Sequence, residues 1–212
     1  MKLIEAETTL VLAGAWNPAI VTPNWIAQYV LGFPKDKEFK VNLQMPVQAL
    51  GVLPRYSFED LTINAQPDSL IFLMHAGRHD QVQKSFTVAR GILSLLVHTP
   101  LSGLGINLAY TLASSDGPLV DAFKSGVAVG ELSGDPNCDV LQQNYKLGLK
   151  LTDHVLNIDV LKIGQDLKLS INHHFDCSSA AGAADILGTE KLFEKLRMLS
   201  DKMAEGLEKS NA

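Results

Sequence analysis

The sequence predicts an α+β protein: a duplicated β-α-β-β-β-α unit whose antiparallel strands carry two long helices packed on one face, with pseudo-two-fold symmetry. Three observations predict it. Strand-like alternation and helical periodicity appear in the same order in residues 1–100 and 101–212. Two-residue loops are available to join the strands of the second half as hairpins. Each half closes on a long amphipathic stretch, and two such units sharing a core give one compact domain.

The first half opens with a strand from Leu3 to Ala13. A short helix follows, with Thr22 as its N-cap, Pro23 at its first position and Gly32 beyond its end. "FKVNLQM" alternates as a strand, with Phe39, Val41, Leu43 and Met45 on one side. A further strand runs from Arg55 to Asn64, and the apolar parity changes between Phe58 and Leu61, which predicts a bulge near Glu59 and Asp60. "QPDS" turns into the strand "LIFLMH". From Asp80 to His98, Val82, Phe86, Ala89, Leu93 and Leu96 fall at helical spacing.

The second half reads as the strand "LGINLAYTLA", a short helix at "DGPLVDAFKSG", an irregular loop, three strands, and a closing helix from Glu190 to Lys209. Its stripe is Leu192, Leu196, Leu199, Met203 and Leu207. Sliding this half back by 98 positions sets Asp166 on Asp68, Leu169 on Ile71, Ile171 on Leu73 and His173 on His75. In topology alone the arrangement resembles the paired repeats of TATA-binding-protein-like and sliding-clamp folds, and less closely the helix-grip fold. No motif of those families is present, so no function or residue carries over.

Composition bounds the function. The 212 residues, 46% hydrophobic and 19% charged, are those of an ordinary globular protein. Glu5 and Glu7 interrupt what would be a signal peptide's apolar region, and no apolar run approaches membrane-spanning length, so a cytoplasmic protein is expected. Cys138 and Cys177 lack CxxC spacing, which argues against a zinc ribbon or redox pair. A net charge of −5 without a Lys/Arg cluster argues against nucleic acid. No cofactor motif appears: Walker A, GxGxxG and GxSxG are all absent, and "GLG" at Gly103 precedes its strand where a dinucleotide fingerprint follows one.

The densest set of chemical side chains is "INHHFDC", Ile171 to Cys177. Alternation divides it. Leu147, Leu149 and Leu151 share one face of their strand; Leu156, Ile158 and Val160 share one face of the next; Leu167, Leu169, Ile171 and Phe175 share one face of the third. All lie on one side if paired positions sum to an odd number, as two-residue loops at Asp153-His154 and Gly164-Gln165 provide. Ile158 then faces Ile171, Leu156 faces His173 and Val155 faces His174. His173 goes to the apolar side; His174 and Asp176 go to the polar side, with His154 beside them in the loop. That trio, His154, His174 and Asp176, is the candidate metal set. The same register lays Lys150, Asn157 and Asn172 in one polar row, and Gly148, Asp159 and Ser170 in another.

Trp16, Asn17 and Trp25 surround the first short helix and, with His75 and His173, form the candidate ligand or partner contacts. The leading expectation is a non-enzymatic interaction or assembly module, homodimeric, that acts on itself or on a protein partner. Its alternatives are a small-molecule binder with a pocket between sheet and helices, and a metal-dependent enzyme.

Overall fold

The computed structural model describes residues 1–44, 55–74, 78–112, 141–164 and 166–208. Among these residues ten antiparallel strands form one sheet: β1 Lys2–Leu3, β2 Thr9–Gly14, β3 Asn42–Gln44, β4 Arg55–Phe58, β5 Leu61–Ala65, β6 Ser69–Leu73, β7 Leu101–Leu112, β8 Gln142–Lys150, β9 Val155–Ile163 and β10 Asp166–Phe175. Their lateral order is β3-β4-β5-β6-β2-β7-β10-β9-β8, and β1 joins β2 along one edge of β7. The fold is thus mixed α+β around a single sheet.

Among the described residues four helices accompany it: α1 Pro23–Trp25, which widens into a π turn over Ile26–Val30, α2 His79–Leu95, α3 Ala180–Leu187 and α4 Leu192–Glu208. Two of them begin at a capping hydroxyl. The Thr22 hydroxyl accepts from the Trp25 amide at 3.3 Å with Pro23 at the first position, and the Ser179 hydroxyl caps α3 by accepting from Gly182. The stretch "SSAAGAAD" is therefore a capped helix start.

Three local expectations are corrected. The expected strand Leu3 to Ala13 is broken by a 3₁₀ turn at Glu5–Glu7. The strand from Arg55 to Asn64 is a hairpin: Glu59 and Asp60 both take positive φ, 48° and 62°, and Phe58 pairs with Leu61. A two-residue turn with positive φ at both positions reverses the chain and keeps both apolar sets on one face, so it produces the same parity change as a bulge. Among its described residues "FKVNLQM" pairs over Asn42–Gln44. Met45, His75, Cys138, Gln165, the expected helix at "DGPLVDAFKSG" and the loop after it lie outside the described residues.

Alternation sets the core. Leu10 and Leu12 of β2, Leu70 and Phe72 of β6, Leu104, Ile106 and Tyr110 of β7, and Leu169 and Ile171 of β10 are buried on one face. They pack with Val82, Phe86, Ala89 and Ile92 of α2 and with Leu192, Leu196 and Ala204 of α4 in one continuous cluster. Among the described residues, no helix is long and apolar enough to cross a membrane.

Candidate functional site

The hairpins decide where the histidines go. Between β9 and β10 the expected register is present: Ile158 pairs with Ile171, Leu156 with His173 and Val155 with His174. Gly164, at φ +57°, supplies the conformation that turn requires. Between β8 and β9 the register differs by two residues. Lys150 pairs with Val155 and the Leu151 amide donates to the His154 carbonyl, so the loop is Thr152-Asp153. A two-residue shift preserves every face, but it moves His154 from the loop into line with Leu156, Ile158 and Val160. His154 consequently points into the core.

There it meets His173. Continuing the β9–β10 register sets His154 opposite Phe175, whose ring it stacks at 4.8 Å, and diagonal to His173. His154 Nδ1 lies 2.7 Å from the Asp153 carboxylate, and His154 Nε2 lies 3.0 Å from His173 Nδ1. His173 Nε2 lies 2.8 Å from the Ser200 hydroxyl of α4. One turn of protein chemistry thus runs from an exposed carboxylate into the centre of the molecule: His173 and Ser200 are fully buried, His154 nearly so. Ser200 also neighbours the Tyr110 hydroxyl, which donates to Asp201 at 2.8 Å.

Burial, then the neighbouring His154, push the His173 imidazole down to about 4. The His154 hydrogen bond holds the Asp153 carboxyl below its ordinary range. Tyr110 is pushed up, first by burial and then by Asp201. At pH 7 Asp153 is therefore anionic and His173 neutral. Both ring nitrogens of His173 are engaged by protein groups, so it presents no open donor or acceptor to a ligand.

The opposite face carries His174 and Asp176, 3.2 Å apart. Gly103 and Gly105 of β7 make room here: a Cβ at Gly103 would come within 2.6 Å of the His174 ring, and one at Gly105 within 2.9 Å of the Asn172 amide. Of the candidate metal set, the fold brings His174 and Asp176 together and places His154 with His173. Among the described residues, no three His, Cys, Asp or Glu side chains are grouped to hold an ion.

On this same face an amide ladder crosses four strands. Asn157 donates to Asn172 at 3.0 Å, Asn172 to Asn107 at 2.7 Å, and Asn107 to the Thr9 hydroxyl at 2.9 Å. The register carries the row onward through Leu73, Thr62 and Ser57 to Asn42, and the Thr62 and Ser57 hydroxyls share a hydrogen bond. On its other side the row ends at Gly148, and Lys146 is the residue that pairs with Asp159, replacing the two rows expected from sequence. A groove of about 690 Å³ lies over the ladder, rimmed by Glu7, Lys146 and Asp159.

The remaining candidates sit at the end of β2. Trp16 is buried and donates its indole N–H to the Leu12 carbonyl at 2.9 Å. The Asn17 side chain accepts from the Ala19 amide, and Trp25 packs on the core with its ring 5.9 Å from the exposed Tyr29. Ser200 and Tyr110 escaped sequence reasoning. A signal existed for Ser200, which stands between Leu196 and Ala204 at helical spacing, where a polar residue on a buried stripe needs a partner.

The class these features define is an α+β protein with one antiparallel sheet, a closed polar chain in its core and an open polar face. No protein-family model, curated protein or solved structure matches the chain.

Proposed function

We propose that the protein is a non-enzymatic, cytoplasmic interaction or assembly module that forms a homodimer through the open face of its sheet. The observation that carries this reading is the polar row across that face. Apart from Leu73 and Gly148 its members are side-chain amides and hydroxyls, a chemistry suited to desolvation against another protein surface. The histidines at the centre of the molecule point away from it and are shut off from solvent, which supports a role without catalysis.

We read the two halves as an internal duplication, an arrangement suited to a scaffold. β2 and β7 meet antiparallel mid-sheet, and each is flanked by the last strand of its own half. The shift of 98 takes Thr9 onto Asn107, and these two residues are direct partners in the β2–β7 register, where a pseudo-two-fold axis would pass.

Sedimentation velocity across a wide concentration range tests the reading. The wild type is expected to dimerise, and Asn157→Lys, which sets a charge in the ladder, to weaken the dimer at least about tenfold with an unchanged melting temperature. A strict monomer at all concentrations would overturn it, as would a dimer indifferent to that substitution.

A further inference from the structure

The buried chain has two ways to arrange its protons, and counting them gives it a property beyond holding α4 in place. With one proton on each imidazole, Asp153 receives the His154 Nδ1–H, so His154 Nε2 must accept. His173 then donates from Nδ1 to His154, and its Nε2 accepts the Ser200 hydroxyl proton. Tyr110, beside Ser200, donates to Asp201, and its oxygen can still accept a proton.

Adding one proton at His154 Nε2 reverses the middle of the chain without breaking it. His154, now a cation beside the Asp153 carboxylate, donates to His173 Nδ1. The His173 proton sits on Nε2 and is donated to Ser200, whose own hydroxyl proton turns toward Tyr110. Every hydrogen bond from Asp153 to Ser200 then holds one proton. A second added proton has no such solution: His154 Nε2–H and His173 Nδ1–H would point at each other across 3.0 Å, on two cations.

We propose that this chain is a proton-counting latch, which takes up one proton by reversing its direction with the fold intact and responds to a second by expelling His154 from the core. His154 is the ring that leaves because it adjoins the exposed Asp153 turn, whereas His173 lies inside β10 between paired neighbours. The lowered His173 imidazole agrees with this order of events.

The other charged and titratable groups around the chain are accounted for. Asp201 and Arg197 on α4 pair with each other. The Cys177 thiol, after β10, is pushed up by burial and by Asp176, so it stays neutral. His174 and Asp176 occupy the opposite face of β10. Only the two imidazoles change protonation in the scheme, and Asp153 remains the carboxylate that receives the His154 Nδ1–H.

Nitrogen-15 NMR of the histidine rings, followed from pH 8 to pH 3.5 in the intact protein, tests this. At the upper limit both rings should be protonated at Nδ1. As His154 becomes a cation, His173 should remain neutral and switch to the Nε2–H form, while backbone amide signals of 154–175 hold their positions. Those signals should move only in the second step. Ser200→Ala, which removes the group that receives the reversed proton, should shift the His173 switch to lower pH by at least about half a unit. A His173 that keeps its Nδ1 proton through the first step would overturn the proposal, as would hairpin amides that move with the first proton. Should Ser200→Ala fail to fold, the wild-type titration decides alone.

Discussion

At the scale of single residues, His173 ties stability to pH. Its imidazole titrates at about 4 in the folded protein, against the ordinary value near 6.5 in the unfolded chain. The unfolded state therefore binds more protons between these values. Stability from this group is fully present above about pH 6.5 and is lost as pH falls toward 4, roughly 3 kcal/mol in all. Urea denaturation at pH 7 and pH 4.5 should show the wild type losing roughly 2 kcal/mol more than His173→Leu, even though the variant starts lower because His154 and Ser200 lose their partner. Equal losses would remove His173 as the cause. The sequence placed His173 on the core side and His174 on the polar side because alternation is a property of the strand itself. It misplaced His154 because loops at Thr152-Asp153 and Asp153-His154 both preserve the faces, and nothing in the apolar pattern separates them. The even parity of Leu156, Ile158 and Val160, extended two residues back, was the available clue.

At the scale of elements, the turn at Glu59 and Asp60 teaches a related lesson. A parity change records that the chain has crossed faces or reversed, and a bulge and a tight hairpin leave the same trace. Turn chemistry would normally arbitrate, but Glu-Asp is a poor sequence for two positive φ angles. That mismatch predicts a gain from repair. Glu59→Asn with Asp60→Gly should raise stability by about 1 kcal/mol, read as a higher thermal midpoint with unchanged near-ultraviolet dichroism. The Lys84 bond to the Glu59 backbone carbonyl, which docks α2 on this turn, survives the change. A lowered midpoint would mean that the two acidic side chains contribute something their exposure does not suggest. Helices were more legible: α2 and α4 begin and end within about three residues of the bounds their periodicity set, since a buried stripe repeats over several turns.

At the scale of the whole molecule, the two halves meet along β2 and β7, and Leu10, Leu12, Leu104 and Ile106 from both sides are buried in one cluster. Unfolding should accordingly be a single event. Leu12→Ala should cost about 2–5 kcal/mol and shift the transitions seen by tryptophan fluorescence and by far-ultraviolet dichroism together; two separated transitions would mark the halves as independent units. The class of fold was visible in the order of periodicities, whereas the sheet order was not, because no local pattern says which strands become neighbours. That order has a further consequence at β8. Among the described residues nothing bonds along its outer side, and its nine residues pair with β9 without a bulge or proline. Such a margin is a template for fibre growth, and the lysines at 146 and 150 are the guard this sequence places on it. Two ammonium groups at one rim of the sheet thus guard against edge-to-edge association, and the nearer of them, Lys150, stands three residues before the Asp153 turn where the hydrogen-bonded chain begins.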